Sequence, residues 1–263
     1  MFLLGSVKDD NKRAYELDFL RGIAIVMMVF MHFSYDVRYE FGTNAFEYLS
    51  TDRFWTFIHP IITGLFVSLS GICCTMSRNN LKRGLRLLGV ALLFTLGTVF
   101  IYNVMGIDVL ILFNVLHVLA ISTLVYALFI FIEKKTNMNY MGMTLVIGLI
   151  GLYIMLLNNE LYRYDYTTNN LLFLPVGIQI KNTPSMGDYM PLIPWMGVFL
   201  VGSVIGRTCY KEKKTLFPTS SKLLRRITGP FEFLGRHSLL IYLVHQPIVY
   251  GVLYLIYLVL GKV

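Results

Sequence analysis

Apolar residues in this chain are gathered into long runs separated by short polar segments. Seven runs stand out, near Glu16–Asp36, Phe54–Met76, Leu85–Tyr102, Val109–Ile132, Tyr140–Leu157, Pro191–Arg207 and Leu234–Leu260. Each approaches the ~20 residues with which an α-helix crosses a hydrocarbon layer about 30 Å thick. In lipid every backbone N–H and C=O must be paired inside the protein, and a helix does this within each segment. The pattern therefore predicts an all-α fold, a polytopic transmembrane helix bundle of about seven spans, with residues 1–263 forming a single transmembrane domain. Asn158–Tyr189 is the longest segment on the outer side. Its LLFLPVGIQI core is too short to span and is expected to be re-entrant or to lie on the surface.

Composition sharpens this reading. Of the residues 56% are hydrophobic and 14% charged, against roughly 25% charged in a soluble domain. A water-soluble globule is excluded, because there is too little polar surface to cover one. The net charge of +8 would suggest nucleic acid in a soluble protein. Here the cations alternate in position with acids: Lys8, Lys12 and Arg13; Arg78, Lys82, Arg83 and Arg86; Lys134 and Lys135; then Lys211 to Arg226. Between them fall Glu40, Glu47 and Asp52, then Asp108, then Glu160 and Asp165. Because short loops rich in Lys and Arg stay in the cytoplasm, the expectation is an inner-membrane protein with its N-terminus cytoplasmic and its C-terminus outside. Membrane lipid is then an expected partner and nucleic acid is not. The start, MFLLGSVKDDNKR, has no apolar stretch followed by a cleavage site, so the first span is expected to be retained. Cys73, Cys74 and Cys209 lack metal-site or disulfide spacing and are expected to be packing residues.

The most informative run is YELDFLRGIAIVMMVFMHFSYD. Polar groups inside a span cost roughly 2.5–3.5 kcal/mol for a central Asp or Arg, so they face a cavity or mark a function. Arg21 and His32 are eleven residues apart, which at ~100° per residue returns to within about 20° of the same face. Asp18 precedes Arg21 by three and Asp36 follows His32 by four, so both join that face. The stripe reads Asp18, Arg21, His32, Asp36, with His32 about 16 Å beyond Arg21 along the helix. Singly, His32 is as well explained by packing and Arg21 by reaching to lipid phosphate; together they favour a pathway.

The run LRGIAIVMMVFMH, an arginine, ten residues and then a histidine, resembles the first-helix pattern of acyltransferase family 3 membrane enzymes, and GLFVSLSG with SRNNLKRGLRLLG continues the likeness. RAYELDFLRGIAIV, FNVLHVLAIS, DYMPLIPWMGVFLVGSVIGR and FLGRHSLLIYLVHQPI are closer to bacterial relatives of the heparan-alpha-glucosaminide N-acetyltransferase catalytic domain. The resemblance implies a transmembrane acyltransferase using acetyl-CoA or another acyl-CoA as donor, without metal, and a carbohydrate or glycolipid acceptor whose sugar amine or hydroxyl lies on the far side. It also implies a histidine in the outer loop after the first helix. Val37–Arg53 holds none, so His32 or His59 is expected to fill that role. The chain is shorter than those enzymes, which implies that part of the acceptor site is missing or comes from another subunit; a homo-oligomer is compatible with this.

An activated thioester asks the protein only to position it, to deprotonate the acceptor and to stabilise an oxyanion. His32 is the candidate base, with Asp36 to orient it and His59 at similar depth to cooperate. The plainer account of His59 is a helix-start histidine bonded to backbone freed by Pro60. Arg21, Arg78, Lys82, Arg83 and Arg86 are candidates for the CoA phosphates, although topology alone would put cations in that loop. Asn114 and His117, three apart on the fourth helix and about halfway across, are candidates for the acyl or pantetheine channel. His245, beside Gln246, either polarises the thioester or bridges helices. His237 reads as interfacial, and Asp188 and Trp195 flank the outer segment. Two other classes stay open: a transporter or flippase, for which a polar stripe is equally natural although no inverted repeat is visible, and a b-type haem protein using histidines within spans. A seven-helix receptor fits least, because its N-terminus would lie outside.

Overall fold

A computed structural model describes residues 14–107, 109–164, 166–181, 186, 188–217 and 222–261. Lys8, Lys12, Arg13, Asp108 and Asp165, used above for the charge alternation, lie outside the described residues. Among the described residues the chain is helical with almost no strand. The helices are α1 (Tyr15–Tyr35), α2 (His59–Met76), α3 (Asn80–Met105), α4 (Val115–Thr136), α5 (Tyr140–Tyr164), α6 (Leu192–Cys209), α7 (Lys222–Arg236) and α8 (Ser238–Val259). All but α7 are long and apolar enough to cross a membrane, and α1 is prolonged through a π-helical turn, Asp36–Glu40. A second π-helical turn, Phe54–Ile58, leads into α2.

Several boundaries differ from the sequence expectation, three of them where a local signal was misread. The fourth span begins at Val115 rather than Val109, because the Asn114 side chain accepts the Leu116 N–H at 3.1 Å and so starts the helix there. The last span begins at Ser238 rather than Leu234, because the chain breaks at His237. Residues 222–236, read above mostly as a loop, form α7, whose charges hid it from a search for apolar runs. The LLFLPV segment is a short 3₁₀ helix, Leu171–Val176, started by the Asn170 side chain and held by Tyr189, whose hydroxyl donates to the Leu174 carbonyl at 2.6 Å. Burial pushes that hydroxyl up to about 12, so it remains a protonated donor.

The described chain divides into two compact units, residues 1–69 with 212–263, and residues 70–211. In the first unit α7 runs back along α1: Gly235 lies against Asp18 and Phe231 against Gly22. The Glu16 carboxylate ties the incoming chain to the same end, accepting from Thr215 Oγ1 at 2.7 Å and from the Leu216 N–H at 2.9 Å. Helix α8 then runs in the same direction as α1, since His245 meets His32 and Gln246 meets Asp36 further along both. The first and last of seven spans must run the same way, and these do.

Small residues let these backbones approach. A Cβ on Gly235 would overlap the Asp18 carbonyl, and one on Gly22 would overlap the Phe231 carbonyl. Backbone cannot give way as a side chain can, so Gly235→Ala is expected to cost about 1–3 kcal/mol. Thermal unfolding in detergent checks this, with Gly89→Ala, where a Cβ meets nothing within 4 Å, expected to leave the midpoint unchanged or raised.

In the second unit α3 packs on α4, and α5 on α6. Gly151 of α5 faces Gly197 of α6, where a methyl group on either side would press on backbone. Arg207 near the end of α6 is buried at 3% exposure. Its guanidinium donates to both Glu133 carboxylate oxygens at 2.9 and 3.0 Å, to Thr144 Oγ1 at 2.7 Å and to the Tyr140 carbonyl at 2.9 Å. It also stacks 3.9 Å above the Tyr140 ring. One cation thus ties α4, α5 and α6 together.

Candidate functional site

The polar stripe of α1 is turned toward α7 and α8. Arg21 Nη1 lies 3.4 Å from Asp18 Oδ1 and 3.4 Å from the Gly235 carbonyl, so its charge is partly engaged at the α1–α7 contact. Farther along, the His32 and His245 rings are 5.0 Å apart at a tilt of 58°. His245 Nδ1 is 2.7 Å from the Tyr242 carbonyl. A carbonyl only accepts, so Nδ1 carries the proton and Nε2 is the nitrogen that can take up another. One turn beyond His32, the Asp36 carboxylate is 2% exposed and receives the Gln246 amide, Nε2 lying 3.0 and 3.1 Å from its two oxygens.

The spacing of four between His32 and Asp36 led to the expectation that the carboxylate orients the imidazole. The structure gives Asp36 a different hydrogen-bond partner, Gln246, and gives His32 a neighbouring ring. The reason is geometric: sequence spacing puts both residues on one face but says nothing of what α8 presents to that face. Gln246 appeared in the sequence only as the neighbour of His245.

His59 opens α2, directly after the π-helical turn, with its ring 5.3 Å from that of Trp55. Trp55 is itself fixed by donating to the Leu49 carbonyl at 2.7 Å. His59 is close enough to His32 for their charges to interact. Three candidate histidines and Asp36 therefore belong to one unit, and the acidic and amide side chains flank the imidazoles.

The remaining sequence candidates belong to the second unit. Asn114 and His117 do contact each other, but as a capping box at the start of α4, and not as neighbours on a helix face halfway across: His117 Nδ1 lies 3.0 Å from Asn114 Oδ1 and 3.3 Å from the Asn114 N–H. The His117 ring stacks on Phe113 and its Nε2 is 3.4 Å from Thr95 Oγ1. Its Nδ1 thus serves the helix start, while its Nε2 faces α3. Arg78 and Lys82 stand exposed at the α2–α3 corner and Arg83 is half-buried there, where the Asn79 side chain begins α3 by accepting the Lys82 N–H at 2.9 Å. Cys74 packs against the same corner, donating to Asn80 Oδ1 at 3.2 Å. The Arg207–Glu133 pair was missed in the sequence, where Glu133 reads as one charge in a basic loop; its signal was an arginine lying inside an apolar run.

A histidine pair beside a buried, amide-bound carboxylate can shuttle a proton between an acceptor and a leaving group. Residues 13–247 match the family model for the catalytic domain of heparan-alpha-glucosaminide N-acetyltransferase. The chain belongs to this family. Comparison with curated proteins and with solved structures finds no match. Membership in the heparan-alpha-glucosaminide N-acetyltransferase family makes this a membrane acetyltransferase-type chain, and the matched region includes α1, α7 and α8 as far as Pro247, hence every stripe residue and its partners.

Proposed function

We propose that this chain moves an acyl group, acetyl in the first instance, from acyl-CoA at the cytosolic face to an amine or hydroxyl of a carbohydrate or glycolipid at the outer face. The reading takes the whole chain as one catalytic domain, in the inner membrane, with its N-terminus inside and its C-terminus outside. The observation that carries it is the His32–His245 pair beside Gln246-bound Asp36, within a region that matches a transferase family over almost its whole length.

In this reaction the acceptor nitrogen or oxygen forms a bond to the thioester carbonyl carbon and the C–S bond breaks. The acceptor's proton passes to an imidazole and from there to the departing thiolate, giving an amide or ester and free CoA. His32 takes the role of base. His245, whose Nδ1 proton is fixed on a carbonyl, has its ring beside that of His32, and a charge on His59 biases where the proton rests. Asp36 supports the positive charge that develops on the imidazoles, and Gln246 keeps that carboxylate in place. Arg21 in the first unit and, taken separately, exposed Arg78 and Lys82 with Arg83 in the second are each candidates for the phosphates of CoA, because guanidinium and ammonium groups form charge-assisted bonds to phosphate oxygens. Asn114 and His117 are assigned to the wall of the donor's path, in addition to their capping role.

The test is a transfer assay in proteoliposomes with labelled acetyl-CoA on one side and an amino sugar on the other. CoA-dependent appearance of label on the sugar is the expected result. Movement of a sugar or lipid that is indifferent to CoA, with no thioester consumed, would replace this reading by a transporter. Arg21→Ala is expected to raise KM for acetyl-CoA about 10-fold or more with a smaller change in kcat, the loss of a charge-assisted bond of about 1.5–3 kcal/mol. Gln246→Glu sets a second carboxylate about 3 Å from Asp36, so one of the pair must hold a proton. Turnover is expected to fall at least about tenfold and its pH profile to shift, while circular dichroism stays unchanged; an unaltered profile would deny Gln246 its positioning role.

A further inference from the structure

Among the described residues α7 is the one α-helix that is not a span, and the acyl-transfer reading gives it no task. Its fifteen residues, KLLRRITGPFEFLGR, include Lys222, Arg225, Arg226, Glu232 and Arg236, so it is too short and too charged to cross a bilayer. One flank is spoken for. Thr228 is buried, Phe231 meets Phe19 edge-on at 5.7 Å, and Gly235 lies on the first turns of α1. The other flank exposes Ile227 and Phe233, at 59% and 57%, together with the charged heads of Arg226 and Arg236.

Exposed apolar side chains mixed with cations, on a helix fixed to the beginning of a span, are the make-up of a helix lying in the boundary between headgroups and acyl chains. The segment 211–236 carries seven cations against two acids, so charge selects the lipid. We propose that the outer flank of α7 is a docking surface for anionic phospholipid, with Ile227 and Phe233 entering the acyl boundary and Arg226 and Arg236 meeting headgroup phosphates. A soluble acidic protein would satisfy the cations but would leave the apolar side chains unexplained at the edge of a bilayer. The proposal depends on the seven spans and not on the acyl-transfer chemistry, so either can fail alone.

The experiment uses the full chain in nanodiscs of phosphatidylcholine mixed equally with phosphatidylglycerol. Lipid retained after detergent exchange is measured by native mass spectrometry. The wild type is expected to retain phosphatidylglycerol preferentially, and Arg226→Gln and Arg236→Gln each to reduce that preference about fivefold, equivalent to about 1 kcal/mol per cation near an anionic surface. Arg163→Gln, which removes an exposed cation at the end of α5, is expected to change nothing. In parallel, the fluorescence added by Ile227→Trp over the background of Trp55 and Trp195 is expected to be quenched by bromine-labelled acyl chains and not by aqueous iodide. Equal retention of both lipids by the wild type, unchanged retention in both α7 variants, or an added indole signal open to iodide alone would each overturn the proposal.

Discussion

His32→Ala is expected to lower turnover by about 10²–10⁴-fold, the range that a positioned general base contributes, while leaving the protein folded. The expectation of intact folding comes from the site itself. His32 is only half-buried, it forms a ring contact with His245 rather than closing a hydrogen-bond network, and the α1–α7 interface that holds α1 in place lies more than two turns away at Asp18–Gly22. His32→Gln keeps a polar side chain of similar reach but cannot accept and release a proton near neutral pH, so it should be as inactive as alanine. Partial recovery of His32→Ala by added imidazole would point to lost proton transfer. Unchanged kcat in a well-folded His32→Ala protein would remove His32 from the chemistry and leave His245 or His59 to be tested in its place.

The largest stability effect should come from the other unit. Arg207→Ala is expected to cost about 3–5 kcal/mol, because it strands the Glu133 carboxylate, and Glu133→Ala to cost a comparable amount by stranding the guanidinium. The side chains of the pair are 2% and 14% exposed, so solvent screens them little. Arg207→Lys should recover only part of the loss, since an ammonium cannot serve two carboxylate oxygens, Thr144 and the Tyr140 carbonyl in one planar fork. The combined Arg207→Met, Glu133→Leu protein should be more stable than either single alanine variant, as a buried pair replaced by apolar groups leaves no uncompensated charge. Unfolding midpoints in detergent measure all four. Single variants within about 1 kcal/mol of wild type would show the pair to be solvated.

The spans were legible because bilayer thickness imposes a run length, and the α1 stripe because helix geometry converts spacing into direction. Both are local rules. What α1 faces was not legible: Asp36 and Gln246 are 210 positions apart, and no periodicity connects them. The same limit hid Arg207 from Glu133. Two misreadings have a different origin, in that an apolar run was equated with a helix. VLILFNVLH is apolar from residue 109, yet Asn114 begins the helix by capping it, and that moved Asn114 and His117 from the middle of a face to the end of one. In α7 the error was the reverse. A helix with many charges was passed over because its apolar positions, Leu224, Ile227, Phe231 and Phe233, are spread around charged ones.

That α1 and α8 point the same way has an electrical consequence. Peptide dipoles along a helix sum to about half a positive charge at its start and half a negative charge at its finish. In neighbours that run oppositely these ends offset each other; in this pair they add. Tyr15 and Ser238 begin their helices at one end of the pair, near Arg21, and the first-turn acids Glu16 and Asp18 occupy the positive end that favours them. Asp36 is less comfortably placed, at the negative end of α1, where a carboxylate is disfavoured unless something counters the carbonyls around it. The Gln246 amide supplies that counterweight, so the electrostatic gradient along the pair makes this one side chain more consequential than its neutral chemistry suggests.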